Sequence, residues 1–141
     1  MPAGWLAERL ASFGAQPALQ TASETVSYKA LADAVAGWKD RRVGAPQGEV
    51  VLLSGEASPG FIALLMALLE RGDIAVPMAP VEDVRIETCA AIVQAQHIVR
   101  FAADGSWIET PGPGSGHHPL FEKLRAERSA GLVIFTSGST G

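Results

Sequence analysis

Val50-Val-Leu-Leu53 narrows the possible folds more than any other stretch of this chain, because four consecutive apolar residues leave a strand no polar side to turn to water. Strands of open antiparallel sheets alternate apolar and polar positions, whereas a parallel strand covered by helices on both faces is apolar throughout. Ile74-Ala-Val76 and Ile98-Val-Arg-Phe101 read as further strands, Trp107-Ile-Glu109 as a weaker one, and Leu132-Val-Ile-Phe135 as a last buried one. Pro77 is expected at the end of its strand, since it cannot donate to a central ladder.

Apolar residues at helical spacing occupy the gaps between these strands. Tyr28, Leu31, Val35 and Trp38 form one stripe, with Ser27 placed to cap it. Phe61, Leu64, Leu65, Leu68 and Leu69 form another, opened by Ser58-Pro59 and stopped by Gly72. A serine hydroxyl satisfies a free N–H of the first turn, and a proline there gives up an N–H the helix does not use. Residues 83–94 and 119–128 supply two more helices, the second with Arg125 and Arg128 suited to its carboxyl end. Near the start, Trp5, Leu6, Arg9, Leu10 and Phe13 predict a helix ended by Gly14, and residues 17–20 and 24–27 a short hairpin. Alternation of strand and helix predicts an α/β fold with a largely parallel, doubly wound sheet, spread over residues 1–141 as one unit. No internal repeat is visible.

Charge and composition exclude several functions. With 11 basic and 15 acidic residues the net charge is −4, so the chain lacks the basic surplus that nucleic-acid phosphates demand. Lys39-Asp40-Arg41-Arg42, the densest basic cluster, is interrupted by an acid and reads as a solvated helix end. The longest apolar stretch, residues 61–69, is far too short to span a bilayer, and the first eight residues lack the pattern of a secretory leader. Cys89 is the only cysteine; beside Ile86, Ala90 and Val93 it reads as a buried thiol rather than a reactive one. A cytoplasmic protein with no membrane span and no nucleic-acid partner is expected.

Most motifs of known chemistry are missing. His117 and His118, with Glu122 one turn on, have no second ligand cluster nearby and read as a solvated pair, so no metal site is expected. His97 reads as structural. Gly112-Pro-Gly114-Ser-Gly116 mimics a nucleotide fingerprint in spacing, but its prolines and setting mark residues 111–116 as an exposed loop. No Gly-x-Ser-x-Gly elbow offers a hydrolase nucleophile. Trp5, Trp38 and Trp107 are scattered, and packing explains them better than base stacking.

What remains is the run after the last strand, Thr136-Ser137-Gly138-Ser139-Thr140-Gly141. Glycines let a backbone approach a ligand closely and reach positive φ, so consecutive N–H groups can form a concave anion site to which Ser and Thr hydroxyls add donors. Ser/Thr/Gly stretches also serve as linkers, although linkers are not usually launched from a core strand. The run is not a Walker A loop, since no Gly-Lys-Ser/Thr follows at the required spacing.

Phe135-Thr-Ser-Gly-Ser-Thr-Gly141 resembles the phosphate-loop signature of the adenylate-forming superfamily, which includes acyl- and aryl-CoA ligases and the adenylation domains of nonribosomal peptide synthetases. Two upstream stretches agree in order and spacing. Val26-Ser-Tyr-Lys-Ala-Leu31 resembles an early Thr/Ser-Tyr-x-x-Leu element, and Leu68 to Pro80 resembles Leu-x-x-Gly-x-x-x-Val-Pro-x-x-Pro. The resemblance implies the first part of the large N-terminal domain of an ATP- and Mg-dependent ligase. An acyl- or aryl-CoA ligase is the first reading, with a peptide-synthetase adenylation domain or a non-catalytic folding or interaction module as the alternatives. Such a ligase forms an acyl-adenylate from a carboxylate substrate and passes the acyl group to a thiol acceptor, CoA or a carrier protein. It implies that Thr136, Ser137, Gly138, Ser139, Thr140 and Gly141 bind the nucleotide phosphates, with no catalytic residue in this stretch. The signature normally continues x-Pro-Lys-Gly, and the family's C-terminal domain has no counterpart here. The chain is therefore expected to be an N-terminal piece of a larger ligase, inactive alone. Its partner would be the remainder of the ligase or a complementary fragment, and it could self-associate through an unpaired edge.

Overall fold

The computed structural model describes residues 5–136. Helix α1 (Trp5–Ser12) is ended by Gly14 at φ +55°, and strands β1 (Pro17–Gln20) and β2 (Thr25–Ser27) form the expected antiparallel hairpin. Helix α2 (Tyr28–Arg41) starts at once, with Ser27 Oγ accepting the Ala30 N–H at 3.1 Å. Then come β3 (Val50–Ser54), α3 (Pro59–Arg71), β4 (Ile74–Met78), α4 (Asp83–Val93), β5 (His97–Phe101), β6 (Trp107–Pro111), α5 (Pro119–Ala126) and β7 (Gly131–Leu132). Both expected ends of α3 are built as predicted: Ser58 Oγ accepts the Phe61 N–H at 3.3 Å, and Gly72 adopts φ +82°.

The central sheet has the order β6-β5-β3-β4-β7, in which β5, β3, β4 and β7 are parallel and β6 returns antiparallel from β5. The unbroken apolar run of β3 has a direct cause. Val51 and Leu53 face α1, α2 and α3, packing with Leu31, Val35, Trp38, Phe61, Leu64 and Leu68. Val50 and Leu52 face α4 and α5, packing with Ile86, Cys89, Val93 and Phe121. All four strand residues are 0% exposed. Two cores lie on the two faces of one sheet, which is the three-layer α/β arrangement the sequence predicts.

Four expectations need correction. First, Leu65 and Leu69 are only half-buried, while Ala63, Ala67 and Glu70 take the buried positions. The reason is α2 on the flank of α3: Glu70 accepts Lys39 Nζ at 2.9 Å and the Ala7 N–H at 3.1 Å. Secondly, residues 39–42 are a solvated helix end only in part: Asp40 and Arg41 are exposed, but Lys39 is half-buried and Arg42 is buried. Arg42 is 6% exposed, with Nη2 donating to Glu49 at 3.2 Å and Nη1 reaching Glu109 at 3.5 Å. Arg41 stands 4.4 Å from the ring centre of Trp107, which itself packs on Trp38. The cluster lies under the amino edge of the sheet, where Glu49 and Asp73 immediately precede β3 and β4 and supply opposite charge.

Thirdly, residues 111–116 do contain the expected loop, with Pro111, Pro113 and Ser115 exposed, but its glycines turn inward, Gly112 and Gly114 half-buried and Gly116 buried. Gly112 and Gly114 donate N–H groups to Gln96 and Ala95 at 2.8 and 3.0 Å, and lie so close to residues 94–96 that a Cβ at either would overlap that backbone. Fourthly, the last strand is not buried. Its regular part covers Gly131 and Leu132 alone at the sheet edge, and Leu132 and Ile134 are 54% and 58% exposed. Only Val133 and Phe135 tuck against the core on the α4 and α5 side. Successive side chains point to opposite faces, and only the α4 and α5 face is covered at this edge, so exposure alternates along residues 132–135.

Candidate functional site

Open parallel sheets bind ligands beyond the carboxyl ends of their strands, at the point where neighbouring strands send their connections to opposite faces. Here that point lies between β3 and β4. The chain leaves β3 for α3 on one face and leaves β4 for α4 on the other. A cavity of about 400 Å³ opens at this place, lined by Gly55, Glu56, Ala57, Phe61, Pro77, Met78, Ala79 and Pro80. Among the described residues its wall is almost wholly apolar and Glu56 is its only charged group, so it fits an apolar moiety better than an anion.

Local sequence accounts for the shape. Gly55 sits at φ +137°, and a Cβ there would stand 2.8 Å from the Cβ and carbonyl oxygen of Phe101. Its N–H donates to the Met78 carbonyl at 3.1 Å, which ties the two strand ends together. Gly60, in the first turn of α3, lets the Phe101 ring approach; a Cβ would meet that ring at 3.3 Å. Ser58 and Pro59 hold the amino end of α3 beside the cavity, and Phe61 closes its inner wall.

Because β7 runs parallel to β4, residues 133–136 travel toward this same carboxyl edge. Of the six residues expected to bind phosphate, Thr136 is exposed and in no regular element. Ser137, Gly138, Ser139, Thr140 and Gly141 lie outside the described residues. The cavity itself was missed by sequence reading. Its signals were Gly55 directly after an apolar strand and the Pro77-Met-Ala-Pro80 segment directly after another.

The three histidines have structural partners. His118 Nδ1 caps α5 by accepting the Leu120 N–H at 3.1 Å, while His117 Nδ1 lies 3.0 Å from Glu122. That bond, with the Arg125 guanidinium at 2.7 Å, holds the Glu122 carboxyl below the usual glutamate range. His97 Nε2 meets Glu49 at 2.7 Å, the structural use expected of it. Among the described residues no three His, Cys, Asp or Glu side chains cluster as metal ligands, and no helix is long and apolar enough to cross a membrane.

No protein-family model and no curated protein sequence matches this chain. Solved structures do match it. The N-terminal subdomain of NpsA from Klebsiella oxytoca, in complex with 3-hydroxybenzoyl-AMSN, superposes with a TM-score of 0.66 at 20% identity, over 96% of this chain and 38% of that one. VinN superposes with a TM-score of 0.63 at 17% identity, over 100% of this chain and 44% of that one. An artificially fused adenylation–PCP di-domain from the nonribosomal peptide synthetases of Klebsiella oxytoca, NpsA–ThdA, gives 0.60 at 19% identity, over 94% and 28%. At such identities the likeness is one of fold: a mixed α/β unit with a mostly parallel sheet, matching the N-terminal subdomain of an adenylation enzyme. The chain spans 28% to 44% of the length of these three structures.

Proposed function

We propose that this chain is the N-terminal portion of an ATP-dependent carboxylate-activating enzyme, with part of the ligand site on the carboxyl edge of its sheet. In the complete reaction a carboxylate oxygen attacks the α-phosphorus of ATP and pyrophosphate departs. An acyl-adenylate results, and a thiol then takes the acyl group and releases AMP. One juxtaposition carries the reading. Parallel pairing of β7 with β4 directs the Phe135-Thr136 start of the Ser/Thr/Gly run to the edge where the switch-point cavity opens, in a fold matched by adenylation enzymes.

The division of labour follows from chemistry. The described cavity suits an apolar group and offers no cation to a polyphosphate. ATP would therefore be held at Thr136, Ser137, Gly138, Ser139, Thr140 and Gly141, whose N–H and hydroxyl donors stabilise negative charge as it builds on departing pyrophosphate. Mg would rest chiefly on those phosphates, since Glu56 is the only carboxylate of the cavity wall. For the acceptor thiol, the likeness to an adenylation–PCP di-domain supports a carrier protein at least as well as CoA. The remainder of the ligase, or a complementary fragment, is placed against the β7 edge, and the chain alone does not turn over.

Backbone amide shifts of the chain, followed by NMR during titration with ATP and Mg and separately with 3-hydroxybenzoyl-AMSN, test this reading. Perturbations confined to residues 136–141 and to the Gly55–Phe61 and Pro77–Pro80 segments are expected. Shifts scattered elsewhere, or none with either ligand at millimolar concentration, would favour a purely interacting module. Acid-dependent pyrophosphate release by the chain alone would overturn its assignment as an incomplete enzyme.

A further inference from the structure

We infer that Pro77 is the residue that ends β7, and that it thereby sets where the chain leaves the sheet on its way to Thr136. The argument is one of ladder parity. In β4, alternate residues turn their N–H and C=O groups to opposite neighbours. The Ile74 N–H donates to Glu49 and the Met78 carbonyl accepts from Gly55, so the even-numbered residues serve β3. The odd-numbered residues serve β7: the Gly131 N–H donates to the Asp73 carbonyl at 3.1 Å, and the Val133 N–H to the Ala75 carbonyl at 2.9 Å. The next rung would be the N–H of residue 77 donating to the Val133 carbonyl. Residue 77 is proline and has no N–H.

Regular pairing does stop there. β7 comprises Gly131 and Leu132, the Val133 N–H makes the last bond, and among the described residues no backbone hydrogen bond is formed by Ile134, Phe135 or Thr136. Beyond that rung the segment is retained by side chains, since Val133 and Phe135 pack on the core of the α4 and α5 side. A residue with an N–H at 77 would bond the Val133 carbonyl and then offer its own carbonyl to the Phe135 N–H. Pairing would continue to the end of β4, drawing residues 134–136 along the edge. The proline costs β4 nothing toward β3, because its nitrogen faces away from that strand. Since Pro77 also lines the cavity, one residue shapes the cavity wall and frees the segment that passes beside it. This inference concerns the backbone and holds whichever ligand the edge takes.

Amide hydrogen exchange on the 141-residue chain tests it. In the unsubstituted protein the Gly131 and Val133 amides should be protected at least about tenfold more than those of residues 134–136, as local opening follows the loss of backbone bonds. In Pro77→Val and Pro77→Ala, the new amide at 77 and that of Phe135 should both become protected by at least about tenfold. Pro80→Ala alters the same cavity outside the ladder and should leave residues 134–136 unprotected. Strong protection of residues 134–136 in the unsubstituted chain would overturn the inference, whether or not the variants fold. So would coil-like exchange at residue 77 in a folded variant.

Discussion

Removal of the Asp73 carboxylate should be among the costliest single changes in this protein. Asp73 is 0% exposed. Its Oδ1 accepts the Gly48 and Glu49 N–H groups at 2.9 and 3.2 Å, and its Oδ2 accepts Arg71 Nε at 2.8 Å. Arg42 Nε lies 3.9 Å from the same oxygen and has no hydrogen-bond partner of its own among the described residues. One carboxylate therefore serves two buried amides and faces two arginines where the α2–β3 and α3–β4 connections meet. In Asp73→Ala each stranded amide would cost about 1–3 kcal/mol, and stranding one member of a buried ion pair about 3–5 kcal/mol. These losses share one site and do not add, so about 3–5 kcal/mol in total is expected. Asp73→Asn keeps a carbonyl oxygen for the two amides and loses the charge; about 2 kcal/mol is expected from the weaker bonds. Urea unfolding followed by the fluorescence of Trp38 and Trp107 reads both. At a slope of about 2 kcal/mol per molar, the alanine midpoint should fall by about 2 M and the asparagine midpoint by about 1 M. A loss under about 1 kcal/mol in the alanine variant would refute the reasoning, since even one stranded amide should cost that much. Equal losses in both variants would show that the carbonyl oxygen does not hold the connection.

Three further outcomes are expected. Gly114→Ala should destabilise by about 2 kcal/mol or more, because the added Cβ would overlap the Gln94 backbone; a thermal melt within error of the unsubstituted chain would contradict that packing. The Glu122 carboxyl should titrate below the usual glutamate range by NMR, mainly through its bond from His117. Its small contribution to stability is present above the unfolded pKa and lost as pH falls through the lowered folded one, and His117→Ala should move the midpoint back up. Leu132→Lys with Ile134→Lys should lower any concentration-dependent association of the chain in sedimentation measurements; association unchanged by both charges would place the contact elsewhere.

The fold was legible where a local rule and the tertiary environment ask for the same thing. Ser58-Pro59 and Gly72 bound α3 because a cap, a lost N–H and a left-handed glycine act within a few residues of themselves. The run Val50–Leu53 disclosed a two-sided burial because no other environment tolerates it. Legibility failed where the partner came from far along the chain. Nothing near Arg42 announces that Asp73 and Glu109 will join Glu49 around it, so a charged run at a helix end looked solvated. Nothing near Gly112 and Gly114 announces the turn at residues 94–96 against which they lie. The candidate site shows the same division. The Ser/Thr/Gly run states its chemistry locally, through glycine freedom and hydroxyl donors. The path of the chain as far as Thr136 depends on a proline 59 positions earlier, in a neighbouring strand, which matters only once the parity of the β4–β7 pairing is known. Pro77 was read correctly as a residue that cannot serve a ladder. What the sequence alone could not say is which ladder it would leave unmade: not the one to β3, which continues past it, but the one to β7, which stops.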